Sequence, residues 1–294
     1  MDRKAFLKKS MAGAGLLSVS LAGFNTRISA GNDRVYPDYE ALGFNHLPHT
    51  NSNIMANIIL HKAESRGNAD HGWLNSKHTF SFANYYNPDR MHFGALRVLN
   101  DDTVAPGMGF GTHPHDNMEI ISIPLEGDLE HKDSMGNVAV IRSGDIQVMS
   151  AGTGIRHSEY NKNKDAMVKF LQIWVYPNKK NVKPRYDQMT LNREDRRNKL
   201  QQILSPNQDD AGVWIHQDAW FHLGDFDPGQ KVTYQIHKNG NGVYLFNLSG
   251  TLVVNETMVN KRDGIGIRDT NNIDIEAQSQ AEFLIMEVPM VFAL

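Results

Sequence analysis

The chain has 294 residues, of which 40% are hydrophobic and 21% are charged, and its formal net charge is −3. This composition is normal for a soluble globular protein of one large or two ordinary domains, and a mildly acidic balance does not favour nucleic-acid binding. The sequence contains no cysteine. That excludes disulfides, iron–sulfur clusters and thiolate metal sites, so any metal must be held by His, Asp or Glu.

Residues 1–30 have the organisation of an export signal. The basic start MDRKAFLKKS is followed by the apolar run MAGAGLLSVSLAGF and by NTRISA, which ends in small residues. This is the pattern of a cleavable signal peptide, and the apolar run is too short to span a membrane. The segment around Arg3 resembles a twin-arginine motif with Lys4 as the second basic residue; a Sec signal and a helix packed on the body are the alternatives. We expect a periplasmic protein, or a cytoplasmic one if this segment is not a signal.

The remaining sequence has a residue pattern typical of β-structure, and this pattern falls into two units. Residues 31–53 are polar and predict an arm or linker, and from residue 54 short apolar runs such as EIISIPL and VKFLQIWV alternate with turn residues. This spacing predicts an antiparallel sandwich or barrel. A charged segment at 177–210 interrupts it, where we favour a solvated linker over a short helix in LNREDRRNKLQQIL. We predict an all-β fold with N-terminal domain 54–180, linker 181–204 and C-terminal domain 205–294, related by an internal duplication.

Two pairs of candidate metal ligands share the same spacing. His113 and His115 are two residues apart, and so are His157 and Glu159; glycines precede both pairs. In a strand, residues i and i+2 point to the same face, so neighbouring strands would bring these four side chains together. Three imidazoles and one carboxylate suit a divalent transition metal and leave open positions, as a catalytic site requires. For either pair alone, a pair of surface or turn residues is the alternative.

These pairs lie within long stretches that resemble the pirin family of bicupins. The matching stretches are HGWLNSKHTFSFANYYNP (71–88), MHFGALRVLNDDTVAPGMGFGTHPHDNMEIISIPLEGDLEHKDSMGN (91–137) and VMSAGTGIRHSEYN (148–161). The resemblance is dense over 54–180 and looser over 205–294. It implies two jelly-roll barrels, of which the first binds one divalent metal. The metal implied is Fe(II), with Mn, Ni, Co, Cu and Zn as alternatives. The resemblance places the ligands on His113, His115, His157 and Glu159.

The resemblance also implies an activity. Bacterial pirins are known as quercetinases, so we expect a quercetin 2,3-dioxygenase-like oxidoreductase, a 2,4-dioxygenase that cleaves flavonols or similar phenolic enols with O2. In this interpretation Glu159 is the catalytic residue that accepts the substrate proton. We expect no nucleic acid, no membrane span and a monomer. The alternatives are a non-catalytic iron-binding bicupin that senses redox state or binds proteins, and a structural or storage bicupin.

Other polar residues receive lesser roles. In most other cupins the acidic ligand lies in the first motif, where this chain has Glu119; we expect Glu119 to support the ligands or lie on the surface. His71 and His78 should bond to turns or support the ligands. We assign an aromatic run to the core rather than to ligand stacking: Phe80, Phe82, Tyr85 and Tyr86. In the second unit, three histidines are each isolated in the sequence, which predicts a metal-free second barrel: His216, His222 and His237.

Overall fold

The computed structural model describes residues 56–292, so the expected signal peptide and arm lie outside the described residues. The strands, numbered along the chain, are β1 Asn57–His61, β2 Gly67–Asp70, β3 Leu74–His78, β4 Leu96–Val104, β5 Gly109–His115, β6 Glu119–Glu126, β7 Asp128–Asp133, β8 Val138–Arg142, β9 Asp145–Ser150, β10 Ile155–Asn161, β11 Val168–Val175, β12 Arg185–Thr190, β13 Leu200–Ser205, β14 Val213–Trp214, β15 Trp220–Phe226, β16 Lys231–Gln235, β17 Asn241–Ser249, β18 Leu252–Val254, β19 Thr257–Val259, β20 Gly264–Arg268, β21 Asn272–Ala277 and β22 Ala281–Pro289. Among residues 56–292, helical structure is limited to three short 3-10 turns at Ala63–Ser65, Pro88–Arg90 and Arg193–Arg196. Within this range no helix has the length and apolar character needed to cross a membrane.

The strands form two barrels, each made of a seven-stranded and a four-stranded sheet. The N-terminal barrel has the orders β12-β9-β6-β11-β4-β3-β2 and β5-β10-β7-β8. The C-terminal barrel has the orders β1-β20-β17-β22-β15-β13-β14 and β16-β21-β18-β19. All pairings between strands are antiparallel except that of β13 with β14. The predicted all-β fold of two antiparallel barrels is therefore confirmed.

The two barrels exchange an edge strand. β1 precedes the N-terminal barrel, yet it pairs with β20 of the C-terminal barrel, with His61 opposite Gly264. β12 precedes the C-terminal barrel, yet it pairs with β9 of the N-terminal one, with Arg185 opposite Ser150. Both strands cover an edge whose backbone groups would otherwise lack partners. The structure thus differs from the expected boundaries, since β1 falls within 54–180 and β12 within the expected linker 181–204.

The short helix considered for residues 191–204 is reduced to the 3-10 turn Arg193–Arg196. Arg193 and Arg197 each lie 3.2 Å from the carboxylate of Asp225, which ties the charged run to the C-terminal barrel. Most residues between 192 and 199 are nevertheless exposed to solvent, as expected for a solvated linker. β13 then begins at Leu200, which is opposite Gly224 of β15. Tertiary pairing has overridden a local helical preference, as is common for segments too short to be helical alone.

The main hydrophobic core lies between the two seven-stranded sheets. It combines side chains such as Ile121 and Leu171 from the first barrel with Phe221 and Leu284 from the second. A separate cluster fills the interior of the C-terminal barrel. The interior of the N-terminal barrel is different, because its apolar residues form two small clusters, one around Phe170 and one around Ile120. The candidate site occupies this divided interior.

Candidate metal centre

The predicted pairs lie on adjacent antiparallel strands of the N-terminal barrel. On β5 and β10, His157 is directly opposite His113, and Ile155 is opposite His115. The ring centroids of the three histidines are 4.4 Å (His113–His157), 4.9 Å (His113–His115) and 5.0 Å (His115–His157) apart. Each offers a ring nitrogen within 4.8 Å of the others, so the structure brings these three predicted residues together as one candidate group.

A bulge separates the histidine part of the site from Glu159. The β5–β10 register shifts between His157 and Glu159, so that Glu159 lies opposite Phe110. Such bulges change the direction in which a side chain points. At the bulge, the Gly111 carbonyl lies 2.8 Å from Nδ1 of His113 and can only accept a hydrogen bond. His113 therefore carries its proton on Nδ1, which leaves the Nε2 lone pair free for a metal.

Glycine is required where the two strands approach most closely. A Cβ added at Gly109 would lie 2.2 Å from the carbonyl oxygen of Glu159 and 2.5 Å from Cα of Tyr160. Both atoms belong to the backbone, so no side chain could move aside to make room. This explains one of the glycines that precede the first pair, since only glycine lets β10 lie this close to β5.

Glu159 is a buried carboxylate beside the histidines. It is 4% exposed, and its Oε1 accepts a hydrogen bond of 3.0 Å from Ser122 Oγ. Burial raises the pKa of Glu159 to about 7, partly offset by the bond from Ser122. Its carboxylate forms a second group of neighbouring candidate ligands with His157 and His131. His157 thus belongs to both groups.

The protonation states of the histidines suit metal binding. Burial lowers the pKa of His115 to about 3, and it also lowers the pKa of His113 and, more strongly, of His157. These rings are therefore neutral at ordinary pH, which is the form that donates a lone pair to a metal. Nε2 of His157 is buried without a hydrogen-bond partner. A buried polar atom without a partner is costly, and a metal beside His113 and His115 would satisfy it.

The candidate ligands line a small cavity of about 40 Å³. The cavity is also lined by four apolar or aromatic residues and by four polar ones: Leu74, Phe82, Phe110, Trp174; Ser76, Asn100, Asp102, Gln172. Ser76 Oγ donates to Asp102, and burial raises the pKa of Asp102 to about 7. Oδ1 of Asn100 and Nε1 of Trp174 are buried without protein partners. These two lining residues therefore hold an acceptor and a donor that no other protein group uses.

Several predictions about other residues need correction. Glu119 is neither on the surface nor beside the ligands: it is 1% exposed, lies in the seam between the large sheets and accepts a 2.6 Å hydrogen bond from Ser150 Oγ. His78 is buried against the rings of Phe82 and Tyr85, and neither of its ring nitrogens has a hydrogen-bond partner. The aromatic run is divided, since Phe80 is in the core, Phe82 lines the cavity and Tyr86 is exposed.

The histidines of the second barrel are not all isolated. The rings of His222 and His237 stack with centroids 5.4 Å apart, and Nδ1 of His237 lies 2.8 Å from Oε2 of Glu287. The fully buried Glu287 also accepts hydrogen bonds from Tyr234 Oη and Asn241 Nδ2. This network ties the segment after β16 to β22, a structural task that the sequence pattern does not reveal.

His131 and Asp133 have no predicted role, yet the structure places them beside a candidate ligand. His131 is fully buried, its Nε2 lies 3.1 Å from Oδ2 of Asp133, and its Nδ1 lies 3.5 Å from Nδ1 of His157. An available signal was their spacing, because His131 and Asp133 are two residues apart on one strand, like the ligand pairs.

Comparisons with known proteins agree with this fold and site. A family model described as Pirin matches residues 59–175, and one described as Quercetinase C-terminal cupin domain matches residues 202–288. A protein of Escherichia coli K12 named quercetin 2,3-dioxygenase is 44% identical over 234 residues, which cover 80% of this chain and 100% of the relative. The chain belongs to the pirin family. A pirin-like protein of Caulobacter vibrioides is 42% identical over 222 residues, which cover 75% of this pirin and 95% of the relative.

A solved structure extends the likeness to the whole architecture. The bacterial pirin YhhW of Escherichia coli, in complex with nickel(II), superposes with a TM-score of 0.76 at 42% identity, covering 80% of this pirin and 100% of that chain. This pirin is therefore a two-barrel cupin protein with a histidine-rich candidate metal site in its N-terminal barrel.

Proposed function

We propose that this pirin is a metal-dependent dioxygenase that cleaves a flavonol such as quercetin, or a similar phenolic enol, with O2. We propose that His113, His115, His157 and Glu159 hold one divalent metal, Fe(II) in the native protein. The observation that carries this proposal is the convergence of three neutral imidazoles, with Glu159 close by, on the wall of a buried cavity. The name of the Escherichia coli relative supports the activity, and the nickel(II) complex of YhhW supports a divalent ion.

When bound, the metal would lower the pKa of a substrate hydroxyl and hold it beside O2. The protein's own contribution begins with Glu159, whose carboxylate accepts the proton of that hydroxyl. Burial raises the pKa of Glu159 to about 7 in the absence of a metal, whereas a bound cation would favour the charged form of the carboxylate, which is the form that accepts a proton. Ser122 Oγ donates to Oε1 of Glu159, which keeps the carboxylate in place for proton transfer. The three histidines remain neutral throughout.

The cavity walls suit an aromatic substrate that carries hydroxyl groups. Phe82, Phe110 and Trp174 provide apolar surface for a ring, while Asn100 Oδ1 can accept a hydrogen bond from a phenolic hydroxyl. Nε1 of Trp174 can donate to a carbonyl or hydroxyl oxygen. A cavity of about 40 Å³ is smaller than a three-ring flavonol. Only the reacting edge of the substrate would enter it, with the other rings lying towards the opening.

An oxygen-labelling experiment tests the activity. Protein stripped with a chelator and reloaded with Fe(II), Mn(II), Ni(II) or Co(II) is incubated with a panel of flavonols under ¹⁸O2, while flavonol absorbance and O2 uptake are followed. A dioxygenase places both labelled atoms in the products and consumes one O2 per flavonol. If no metal supports turnover, or if the products contain no ¹⁸O because their new oxygen atoms come from water, the proposed activity is wrong. Tight metal binding without turnover would instead favour the non-catalytic iron-binding bicupin.

We also propose that the protein is exported to the periplasm. Support comes from the basic, apolar and small-residue order of residues 1–30, all of which precede the part matched by the pirin model. Export through a twin-arginine route would suit a protein that folds around its metal before it leaves the cytoplasm. Amino-terminal sequencing of protein from the periplasmic fraction should show a mature chain that begins near residue 31. Recovery of intact Met1 in the cytoplasmic fraction only would contradict export.

A further inference from the structure

His131 and Asp133 form a buried chain of contacts that ends on the candidate ligand His157. They lie on β7, which pairs with β10 so that His131 is opposite Glu159 and Asp133 is opposite His157. The side chains of His131 and Asp133 are both 0% exposed. Oδ2 of Asp133 lies 3.1 Å from Nε2 of His131, and Nδ1 of His131 lies 3.5 Å from Nδ1 of His157.

Because Asp133 can only accept a hydrogen bond, it determines which ring nitrogen of His131 and which of His157 carries the proton. A carboxylate only accepts hydrogen bonds, so His131 donates from Nε2, and a neutral His131 then has a lone pair on Nδ1. That lone pair faces Nδ1 of His157, which must carry the proton in order to donate. His157 is then left with its lone pair on Nε2, the atom that is buried without a hydrogen-bond partner.

Asp133 and His131 are themselves held in place. Oδ1 of Asp133 accepts from the backbone N–H groups of Met135 and Asn137, at 2.9 Å and 3.1 Å, and Oδ2 also accepts from Asn137 Nδ2 at 2.8 Å. The ring of Tyr186, on the exchanged strand β12, lies against His131 with centroids 4.7 Å apart at an angle of 33°. The carboxylate and the ring therefore have little freedom to reorient.

We propose that Asp133 and His131 are positioning residues that fix the tautomer of His157, so that its Nε2 lone pair points at the metal held with His113 and His115. This inference rests on the proposed metal site and adds to it a hydrogen-bonded support for one ligand. Such outer partners orient metal-bound histidines and raise their basicity, and their loss weakens metal affinity by about 10- to 100-fold.

The grouping of His131, His157 and Glu159 also allows a different arrangement, in which His131 is a ligand itself. In that case Nδ1 of His157 would bind the metal and Nε2 would carry the proton. The Nε2–H group would then be buried near His113 and His115 without an acceptor, which is unfavourable. The hydrogen-bonded chain Asp133–His131–His157, here called the relay, leaves no such group, so the geometry favours it.

The test uses Co(II), whose visible bands report on its ligands, as the probe of the full-length protein. In His131→Asn the side-chain oxygen accepts a hydrogen bond near the former Nδ1, whereas His131→Leu has no acceptor. We expect His131→Leu to weaken Co(II) affinity by about 10- to 100-fold and to shift the visible bands, and His131→Asn to stay within about threefold of the native affinity. In Asp133→Asn an amide donor replaces Oδ2, which forces the opposite tautomer on His131, so this variant should resemble His131→Leu.

The control is His222→Asn in the second barrel, where a buried histidine stacked on His237 is removed far from the candidate metal centre. It should leave Co(II) affinity and spectrum unchanged. The relay is overturned if His131→Leu binds Co(II) as the native protein does, or if His131→Asn loses as much as His131→Leu, which would make His131 a ligand or a packing element. Failure of the metal site itself is recognised separately, because then His113→Ala would bind Co(II) like the native protein.

Discussion

Glu119 and Glu159 are chemically matched carboxylates that serve different parts of the molecule. Each is buried and accepts from a serine hydroxyl, Ser150 Oγ at 2.6 Å for Glu119 and Ser122 Oγ at 3.0 Å for Glu159. Burial raises the pKa of both to about 7. Glu159 faces the cavity with the three histidines, whereas Glu119 lies in the seam between the large sheets, near the guanidinium of Arg185. Each residue is therefore a control for the other.

Replacing either glutamate by glutamine should separate metal binding from packing. Glu159→Gln removes the proposed ligand and base, so we expect weaker metal retention and flavonol turnover reduced by at least about 100-fold. Glu119→Gln keeps the shape of a side chain that does not line the cavity, and it should retain both metal and turnover. Elemental analysis of the purified variants and O2 uptake are the measurements. Loss of metal from Glu119→Gln, with retention in Glu159→Gln, would move the acidic ligand to Glu119.

Glu119 should also give the metal-stripped protein a pH-dependent stability. Its pKa is raised from 4.5 to about 7, so the folded state binds this proton more tightly than the unfolded state. The resulting stabilisation is complete below pH 4.5 and is lost as the pH rises through 7. The free energy of unfolding of the native protein, relative to Glu119→Gln, should therefore fall by up to about 1.4 kcal/mol per pH unit over this interval. Urea unfolding of both proteins between about pH 5 and pH 8 measures this difference. The difference would be independent of pH if Glu119 had the same pKa in the folded and unfolded states.

The site was largely predictable because its geometry repeats a local rule. Spacing of two residues in a strand correctly placed His113 with His115, and the structure brings His157 to both. The bulge before Glu159 and the contact of His131 with His157 were not predictable. Both depend on the register between strands that are distant in sequence, and local periodicity carries no information about register.

The fold shows the same division between local and non-local information. Runs of apolar residues separated by turns predicted two barrels and their duplication. They could not predict that β1 crosses to the second barrel and β12 to the first, because the pattern of apolar and polar residues in a strand does not depend on which barrel it joins. The ion pair of Arg193 in the charged run was not predictable for a similar reason, because its partner Asp225 lies in another strand.

Arg185 links the exchanged strand β12 to the second barrel, so its replacement should cost stability without affecting the metal. The guanidinium lies 3.9 Å from the centroid of the Trp214 ring, and it donates a 2.6 Å hydrogen bond to the Trp214 carbonyl. Arg185→Gln loses the cation–π contact and the charged donor, so we expect a loss of about 2 kcal/mol. Arg185→Lys keeps the charge without the planar group and should lose less. Thermal unfolding and Co(II) titration are the measurements. An unchanged melting temperature in Arg185→Gln would show that this contact contributes nothing.

Gly109 and Gly111 allow a test of the close approach between β5 and β10 with two substitutions on one strand. A methyl group at Gly109 would lie 2.2 Å from the carbonyl oxygen of Glu159, whereas at Gly111 the nearest atom is Tyr160 Oη at 3.8 Å. Gly109→Ala must therefore push the strands apart beside the candidate ligands, and Gly111→Ala fits into existing space. We expect Gly109→Ala to lose about 1–3 kcal/mol of stability. It should also bind Co(II) more weakly, because His157 on β10 can no longer hold its place opposite His113. Urea unfolding of the metal-stripped proteins and Co(II) titration would show both effects, and equal behaviour of the two alanine variants would mean that strand separation does not control the site.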